Sequence, residues 1–281
     1  MKIIDFRLRP PFGSFTYSPL FTKEVLSVPA ELLGSYCSQA ALQQSMELLI
    51  QEMDEANIVM GVTPIRKTTQ GENEDIEKLE KIYPGRFAGF AWIDPLNTEE
   101  AIEDIDKYVN YGAAYGITLE PGIAFTPEKW FADDKRVFPV YEKCQAENIP
   151  ILFTYGGVAS EQHYYNPLFI QHIAQAFPKL KIVLAHGGFP HVLGIAQVAL
   201  QYANVYLAPD IYMSSMYPGS NIYIQMANYT LQNQVIFGSV YPGGLPLKAA
   251  AEDVLNRLRP QIAEKVMYKN AAKVLGLAEE D

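Results

Sequence analysis

Residues 180–188 read Leu-Lys-Ile-Val-Leu-Ala-His-Gly-Gly, a short apolar run that ends in a histidine and two glycines. The apolar run Lys181–Ala185 has the length of a buried strand, and it lies between two amphipathic stretches, Pro167–Phe177 and Val192–Tyr202. Parallel strands need a crossover of a dozen or more residues, which is usually a helix. A short buried strand between two helices therefore predicts a parallel α/β sheet.

The same alternation runs along the whole chain. Strands are predicted at Ile3–Leu8, Ile58–Thr63, Phe87–Ile93, Gly116–Leu119, Pro150–Phe153, Lys181–Ala185, Asn204–Ala208 and Val235–Gly238. Helices are predicted at Gln39–Asn57, Glu72–Tyr83, Thr98–Tyr111, Lys135–Asn148, Pro167–Phe177, Val192–Tyr202, Asn221–Leu231 and Leu247–Leu258. Eight strands, each followed by a helix, predict a closed (β/α)8 TIM barrel, which we expect to form one domain over residues 1–281. A doubly wound open sheet is the alternative, but no GxGxxG motif follows the first strand.

Two stretches depart from this regular pattern. Pro10–Tyr36 is rich in Gly, Pro, Ser and aromatic residues and predicts a long β1–α1 loop. Long βα loops of a barrel lie over its active face. Pro260–Leu277 predicts additional helical structure at the C-terminus.

Composition restricts the kinds of partner. The net charge is −10, and no cluster of Lys and Arg is dense enough to follow a phosphate backbone, which argues against nucleic acid. No run approaches the ~20 apolar residues that span a bilayer, so no membrane partner is expected. Cys37 and Cys144 are expected to be buried, reduced thiols, which fits a cytoplasmic protein. A small anionic metabolite would need a local positive pocket, and a homodimer is possible.

Two arginines at the end of the first strand could supply that pocket. Because side chains alternate along a strand, Asp5, Arg7 and Arg9 are expected on one face, inside the barrel mouth, with the apolar face toward the helices. One interpretation is an internal ion pair between Asp5 and Arg7. The other is a forked clamp for a carboxylate, and the two interpretations are compatible.

Further polar residues follow other strands, where barrel enzymes carry their catalytic groups. His186 follows the sixth strand and could act as a general acid or base. Glu120 and Asp210 are catalytic candidates that could instead pair with an arginine or cap a helix. The candidates for orienting a polar substrate through a hydroxyl are Thr154, Tyr155 and Tyr241.

Several motifs resemble the amidohydrolase-related (amidohydrolase 2) family of barrel enzymes. They are IIDFRLRPP (3–11), ITLEPG (117–122), NIPILFTYGG (148–157), LKIVLAHGGFP (180–190), NVYL (204–207), QVIFGSVYP (234–242) and KNAAKVLGL (269–277). Their order and spacing cover nearly the whole chain. The resemblance implies a barrel hydrolase, and the family includes lactone hydrolases and acid decarboxylases.

The resemblance also implies a divalent metal, such as zinc, held by His-x-His, further histidines and an aspartate. At the matching positions this chain has Arg7 and Arg9 for the His-x-His pair, Thr154 for the fifth-strand histidine and Val240 for the aspartate. Of the positions that match the family's metal ligands, only His186 has a residue that could bind a metal. Arginine and valine offer no lone pair, and catalytic zinc generally needs three protein ligands. We therefore expect no cofactor.

Three functions follow as hypotheses. The first is a metal-independent hydrolase of a small carboxylate-bearing lactone, ester or amide, in which Arg7 and Arg9 bind the anion and His186 is the acid or base. Decarboxylation by the same site is the next reaction considered. The second hypothesis rebuilds a zinc or manganese site from His186, Glu120 and Asp210. The third is an anion-binding barrel without catalysis.

Overall fold

The parallel strands form one sheet whose order follows the chain. A computed structural model describes residues 1–123, 128–158 and 161–278, without the side chains of residues 29, 30 and 33. The strands are β1 Ile3–Asp5, β2 Ile58–Pro64, β3 Phe87–Trp92, β4 Gly116–Leu119, β5 Ile151–Thr154, β6 Ile182–Ala185 and β7 Val205–Ala208. Each pairs in parallel with the next in the order β1 to β7. This order excludes the doubly wound alternative, in which the strand order reverses.

An eighth segment lies between β7 and β1. The Leu207 N–H donates to the Gln234 carbonyl, and the Ile236 N–H donates to the Leu207 carbonyl, both at 2.8 Å. On the other side, the Phe6 N–H donates to the Phe237 carbonyl at 2.9 Å. The segment thus connects the two edge strands, and the predicted (β/α)8 TIM barrel is confirmed.

The eighth segment is less regular than the predicted strand Val235–Gly238. It forms an isolated bridge from Val235 to Leu207. The N–H of Phe237 donates to the Val266 carbonyl in a helical turn, at 3.0 Å, so it does not join a strand ladder.

Helices surround the sheet. Those of the described residues are α1 Lys23–Leu33, α2 Gln39–Gln43, α3 Met46–Glu55, α4 Glu74–Ile82, α5 Thr98–Ile105, α6 Phe138–Ala146, α7 Pro167–Ala176, α8 Val192–Gln201, α9 Ser220–Asn228, α10 Leu247–Leu255, α11 Pro260–Glu264 and α12 Asn270–Leu275. Two π-helical turns, Asp106–Asn110 and Lys265–Lys269, extend α5 and join α11 to α12. The extra C-terminal helices are as predicted.

Two helical details differ from the sequence prediction. The predicted loop Pro10–Tyr36 contains α1, whose sequence includes a proline, a residue that argues against a helix interior. The predicted helix Gln39–Asn57 is divided into α2 and α3, because Gln44 adopts a left-handed conformation with φ of 49°. Ser45 then caps α3 by accepting a hydrogen bond from the Leu48 N–H.

Two apolar clusters position the mouth of the barrel. The inner cluster joins inward side chains of the strands, such as Val62, Phe90 and Val183, to Val274 and Leu275 of α12. The outer cluster lies between the strands and the helices. Helix α12 thus covers one end of the inner cluster. The polar residues follow the carboxyl ends of the strands, at the other end of the barrel.

The first strand presents the face opposite to the one expected. Ile4 and Phe6 belong to the inner cluster, so the prediction that they face the helices is wrong. Alternation itself is kept from Ile3, which belongs to the outer cluster, to Phe6. The backbone then bends at Phe6 and Arg7, so the period-two rule does not extend from β1 to Arg7.

Both cysteines were expected to be buried, reduced thiols. Both are free thiols, and Cys144 is buried, but Cys37 is only half-buried. Among the residues that the structure describes, no helix is long and apolar enough to cross a membrane.

Candidate active site

Three residues from three strand ends are in direct contact at the mouth. Arg7 follows β1, His186 follows β6 and Asp210 follows β7. The Arg7 Nη2 lies 3.3 Å from His186 Nε2, and His186 Nδ1 lies 3.0 Å from Asp210 Oδ1. Arginine only donates, so His186 Nε2 accepts and the ring proton sits on Nδ1, where it is donated to Asp210. The contacts with Arg7 and Asp210 are thus those of a neutral His186 imidazole that carries its proton on Nδ1.

The backbone holds this contact in place. Asp210 also accepts hydrogen bonds from the N–H groups of His186, at 3.0 Å, and Ile211, at 2.7 Å. His186, Asp210 and Val240 have φ values of 67°, 47° and 62°. Left-handed backbone is unfavourable for residues other than glycine and often marks functional sites. Strain therefore concentrates at the ends of three neighbouring segments of the barrel.

The glycines after His186 permit a close turn, as the sequence suggests. Gly187 has φ of 56°, and a Cβ at this position would lie 2.9 Å from the Tyr223 ring. Only glycine fits such a conformation at such a distance without displacement.

Arg9, Arg66 and Glu120 complete the charged cluster. The Arg66 Nε donates to Glu120 Oε1 at 2.5 Å, and both side chains are buried. Arg9 is buried with its Nε and Nη1 unpartnered among the described residues, as are the same two atoms of Arg7. The cluster therefore holds buried guanidinium donors whose hydrogen bonds no described residue satisfies.

Charge in the cluster is unbalanced. The charges that act on Arg7 and Arg9 come from Arg66, Glu120 and Asp210, so three guanidiniums face two carboxylates. The buried Asp5 carboxyl is bound to Ser239 and does not face the guanidiniums. Burial, together with the charge of Arg66, lowers the pKa of Arg7 to about 10 against the opposing charges of Asp210 and Glu120. Burial, with the charges of Arg7 and Arg66, also holds the pKa of Arg9 well below its usual value. An anionic ligand would offset this excess of positive charge.

The imidazole is tuned in the same environment. Burial lowers the pKa of His186, and this effect outweighs the opposing charge of Asp210. The His186 side chain keeps 13% of its surface exposed, whereas Asp210 is fully covered. At neutral pH the ring is therefore an unprotonated base that retains some access from the mouth.

Asp5 fixes the strand end without pairing to a guanidinium. Its carboxylate accepts from the Arg7 N–H at 3.0 Å, the Ser239 N–H at 2.8 Å and the Ser239 hydroxyl at 2.5 Å. The hypothesis of an ion pair between Asp5 and Arg7 is therefore wrong. Burial raises the pKa of Asp5, and the residue fastens the end of β1 to the eighth segment.

Removing the Ser239 hydroxyl should destabilise this connection. The hydroxyl donates to Asp5 and accepts from the Tyr241 N–H at 2.9 Å, so Ser239→Ala should lower the free energy of unfolding by about 1.5–3 kcal/mol. Urea denaturation measures the change. Ser214→Ala is the matched control, because its buried hydroxyl has no partner among the described residues. Equal effects of the two substitutions would contradict the assignment.

The three hydroxyl candidates occupy different environments. Thr154 is buried with Oγ1 unpartnered among the described residues, and it lies beside Ala185 of β6. The Tyr155 hydroxyl donates to the Asn166 carbonyl at 2.7 Å, and its ring belongs to the outer cluster. The Tyr241 hydroxyl lies 3.1 Å from the Ser38 hydroxyl. Thr154 is thus the one of the three whose hydroxyl remains available.

The charged cluster contains a residue that sequence reasoning missed. Arg66 lies two residues beyond the end of β2, where barrel enzymes place functional side chains. Glu120, a catalytic candidate, is bound to this arginine and not to Arg7 or Arg9. The position of Arg66 after a strand was the signal that could have found it.

The chemistry of the mouth does not suit a divalent metal. Arg7, Arg9 and Val240 offer no lone pair, and the Arg7 guanidinium faces the His186 nitrogen that is not bonded to Asp210. The positive charge of the Arg7 guanidinium, 3.3 Å away, would repel a metal cation bound at His186 Nε2.

The alternative ligand set does not come together either. Glu120 is bound to Arg66, and His186 uses one nitrogen for Asp210. Over residues 1–123, 128–158 and 161–278, no group of three or more His, Cys, Asp or Glu is placed to hold a metal ion. The described residues therefore do not bring His186, Glu120 and Asp210 together as one set of ligands.

A closed parallel barrel with polar residues at the carboxyl ends of its strands defines the TIM-barrel class of proteins. The family model described as amidohydrolase matches residues 47–277, and the chain belongs to this amidohydrolase family. The predicted family is confirmed. No curated protein matches the chain.

Solved structures agree with this membership. The chain is 33% identical to an uncharacterised TIM-barrel protein from Bordetella bronchiseptica, with a TM-score of 0.89 over 98% of this chain and 99% of that one. A 4-oxalomesaconate hydratase from Rhodopseudomonas palustris is 17% identical, with a TM-score of 0.66 over 98% and 95%. A dihydroxybenzoic acid decarboxylase from Polaromonas, solved with manganese and an inhibitor, is 14% identical, with a TM-score of 0.65 over 99% and 98%. At such low identity the last two establish similarity of fold alone.

Proposed function

We propose that the protein is a metal-independent hydrolase that opens a lactone, or a related ester or amide bond, in a small carboxylate-bearing substrate. The observation that carries the proposal is the contact series from Arg7 to His186 to Asp210, beside the unpartnered donors of Arg9. A base, a group that orients it and a donor for negative charge are the parts that acyl transfer to water requires.

His186 acts as the general base. When substrate is bound, the Arg7 Nη2–H turns from Nε2 to the substrate and frees the Nε2 lone pair. Nε2 then takes a proton from water, and the hydroxide formed attacks the carbonyl carbon of the substrate. Asp210 keeps the other ring proton on Nδ1 and stabilises the imidazolium. The protonated Nε2 then gives its proton to the leaving oxygen or nitrogen, so the acid product and neutral imidazole are restored.

The guanidiniums of Arg7 and Arg9 bind the negative charges of the substrate and of the oxyanion. Arg7 lies next to the base, so its N–H groups can face the oxyanion that develops when water attacks. Arg9 binds the separate carboxylate of the substrate through its planar donors. Arg66 and Glu120 hold each other and set the charge around both arginines.

Electrostatics favours hydrolysis over decarboxylation. A guanidinium stabilises a carboxylate in the ground state, and its negative charge leaves that position as CO2 departs. A carboxylate bound by arginine is therefore suited to anchoring the substrate, and it is not suited to leaving as CO2. Decarboxylation remains the second candidate, because a protein of similar fold is a dihydroxybenzoic acid decarboxylase.

Turnover assays on matched substrates test the proposal. Purified protein is incubated with lactones and esters that do or do not carry a second carboxylate, and with small aromatic and aliphatic acids. Ring opening or ester cleavage of the carboxylate-bearing compounds is expected. Release of CO2 would favour the second candidate, and thermal stabilisation by acids that are never consumed would favour a binding protein. A transition metal at one per chain, required for turnover, would overturn the metal-independent mechanism.

Arg9 should control recognition of the carboxylate. Arg9→Met removes the charge and the free donors, so KM for carboxylate-bearing substrates should rise about 10- to 100-fold, corresponding to about 1.5–3 kcal/mol. The KM of neutral esters should change less than about threefold. Arg86→Met serves as the control, since Arg86 pairs with Asp54 at the opposite end of β3. A uniform loss on both substrate classes would argue against carboxylate binding by Arg9.

A further inference from the structure

Three neighbouring helices on one side of the barrel contain no Asp, Glu, Lys or Arg, and Asp133, which contacts His172 of α7, lies at their edge. Helices α7 and α8 have 10 residues each and α9 has 9, and none of these residues is Asp, Glu, Lys or Arg. The helices contact one another in the order α7, α8, α9. Charged residues make up 19% of the chain, so an uncharged outer surface of this length is unusual for helices that face water.

Large apolar side chains point outward from this surface. Leu193 and Leu200 are one heptad apart on α8 and are 71% and 58% exposed, and Tyr229 after α9 is also exposed. Between α8 and α9 runs a groove of about 360 Å³, with Leu193, Leu200, Ile222 and Tyr229 among its lining residues. A contiguous exposed apolar patch is typical of an interaction surface.

The barrel places this surface opposite its most acidic side. Helix α4 has four acidic and two basic residues, and α5 has four acidic and no basic residues. These helices follow β2 and β3, whereas α8 and α9 follow β6 and β7, which are four places away in a ring of eight. The negative charge and the uncharged surface therefore lie on opposite sides of the molecule.

We infer that the surface of α7, α8 and α9 is the interface of a homodimer related by a two-fold axis. Two copies that each carry a net charge of −10 repel each other, and contact through the uncharged surfaces keeps the acidic helices at the outer ends. A two-fold contact also lets the same leucines of α8 meet their counterparts. A cationic partner would instead be attracted to α4 and α5.

The three helices provide the centre of such a contact. Helices of 10 residues are about 15 Å long, and neighbours lie about 10 Å apart. Their footprint of about 15 by 30 Å is about 450 Å², so the loops that flank the helices supply the rest of the about 800 Å² that a standard interface buries per partner. Arg259, whose guanidinium stacks on the Tyr229 ring at 5.0 Å, borders this surface.

The mass in solution tests the inference. Light scattering coupled to gel filtration should give twice the chain mass of 31.5 kDa at micromolar concentration. The double variant Leu193→Glu, Leu200→Glu should elute at the chain mass, and Leu200→Lys alone should raise the dissociation constant at least tenfold. Leu32→Glu is the matched control, because Leu32 is 67% exposed on α1, and it should remain dimeric. Circular dichroism verifies that each variant is folded.

Salt separates this interface from one held by ion pairs. Raising NaCl from 50 to 500 mM screens the repulsion between the two acidic chains, so the dimer should persist or strengthen. A wild-type monomer, a dimer that the α8 variants leave intact, or a dimer that dissociates in salt would each overturn the inference. Monomeric wild type that instead associates with a different added protein through α8 would equally overturn it.

Discussion

Replacing His186 with glutamine should lower kcat on the accepted substrate by about 10³- to 10⁴-fold. Glutamine can accept a hydrogen bond from Arg7, but it cannot take a proton from water. Asp210→Asn should produce a loss of similar order while the fold is retained. The asparagine side chain lacks the negative charge that stabilises the imidazolium, and in either orientation its NH2 group faces a backbone N–H, of Ile211 or of His186.

A second His–Asp contact provides the control for this prediction. His172 Nδ1 lies 2.6 Å from Asp133 Oδ2, but this pair is exposed on the outside of the barrel. Asp133→Asn should leave kcat within about twofold of the wild type. Steady-state assays of the four proteins decide the matter. Retention of a tenth or more of the activity by His186→Gln would remove His186 from the reaction.

The pH profile checks the state of the base. A general base must be unprotonated, so kcat/KM should rise with pH through the pKa of His186 and then level off. Burial lowers that pKa, so the acid limb should lie below the ordinary histidine value of about 6.5. In Asp210→Asn the residual activity should have its acid limb at still lower pH, because the carboxylate no longer favours the imidazolium. An acid limb above pH 7 in the wild type would contradict this environment.

The sequence predicts the barrel and the convergence of strand ends well. His186 and Asp210 each follow a strand of the repeating pattern. Adjacent parallel strands bring such residues to one edge of the sheet, so the sequence could predict that they lie close together. The same rule applies to Arg66, which was missed because β2 continues to Pro64, beyond the predicted end at Thr63. Boundaries of strands are the least certain part of a sequence prediction.

Side-chain direction was predicted less well, for physical reasons. Alternation was extended past the end of β1, although the backbone bends at Phe6 and Arg7. Conversely, alternation holds within β5, where Leu152 belongs to the inner cluster and Phe153 to the outer one. The partner of Glu120 could not be predicted, since which of three arginines reaches it depends on loop conformation that sequence periodicity does not encode.

Glu120→Gln should destabilise the protein more than Arg66→Met, although the two residues form one ion pair. Removing the carboxylate leaves three buried guanidiniums facing only Asp210, whereas removing Arg66 leaves two guanidiniums facing two carboxylates. We expect Glu120→Gln to lower the free energy of unfolding by about 3–5 kcal/mol and Arg66→Met by less than about 2 kcal/mol. Urea denaturation at neutral pH measures both.

Two controls make this asymmetry informative about the site. Glu72→Gln breaks the exposed pair with Lys67 and should change the free energy of unfolding by less than about 1 kcal/mol. Acetate at constant ionic strength should stabilise Glu120→Gln more than the wild type, because it supplies the missing negative charge to the guanidiniums. If Arg66→Met proves the more damaging change, the cluster has no excess of positive charge, and its role as an anion site loses its electrostatic basis.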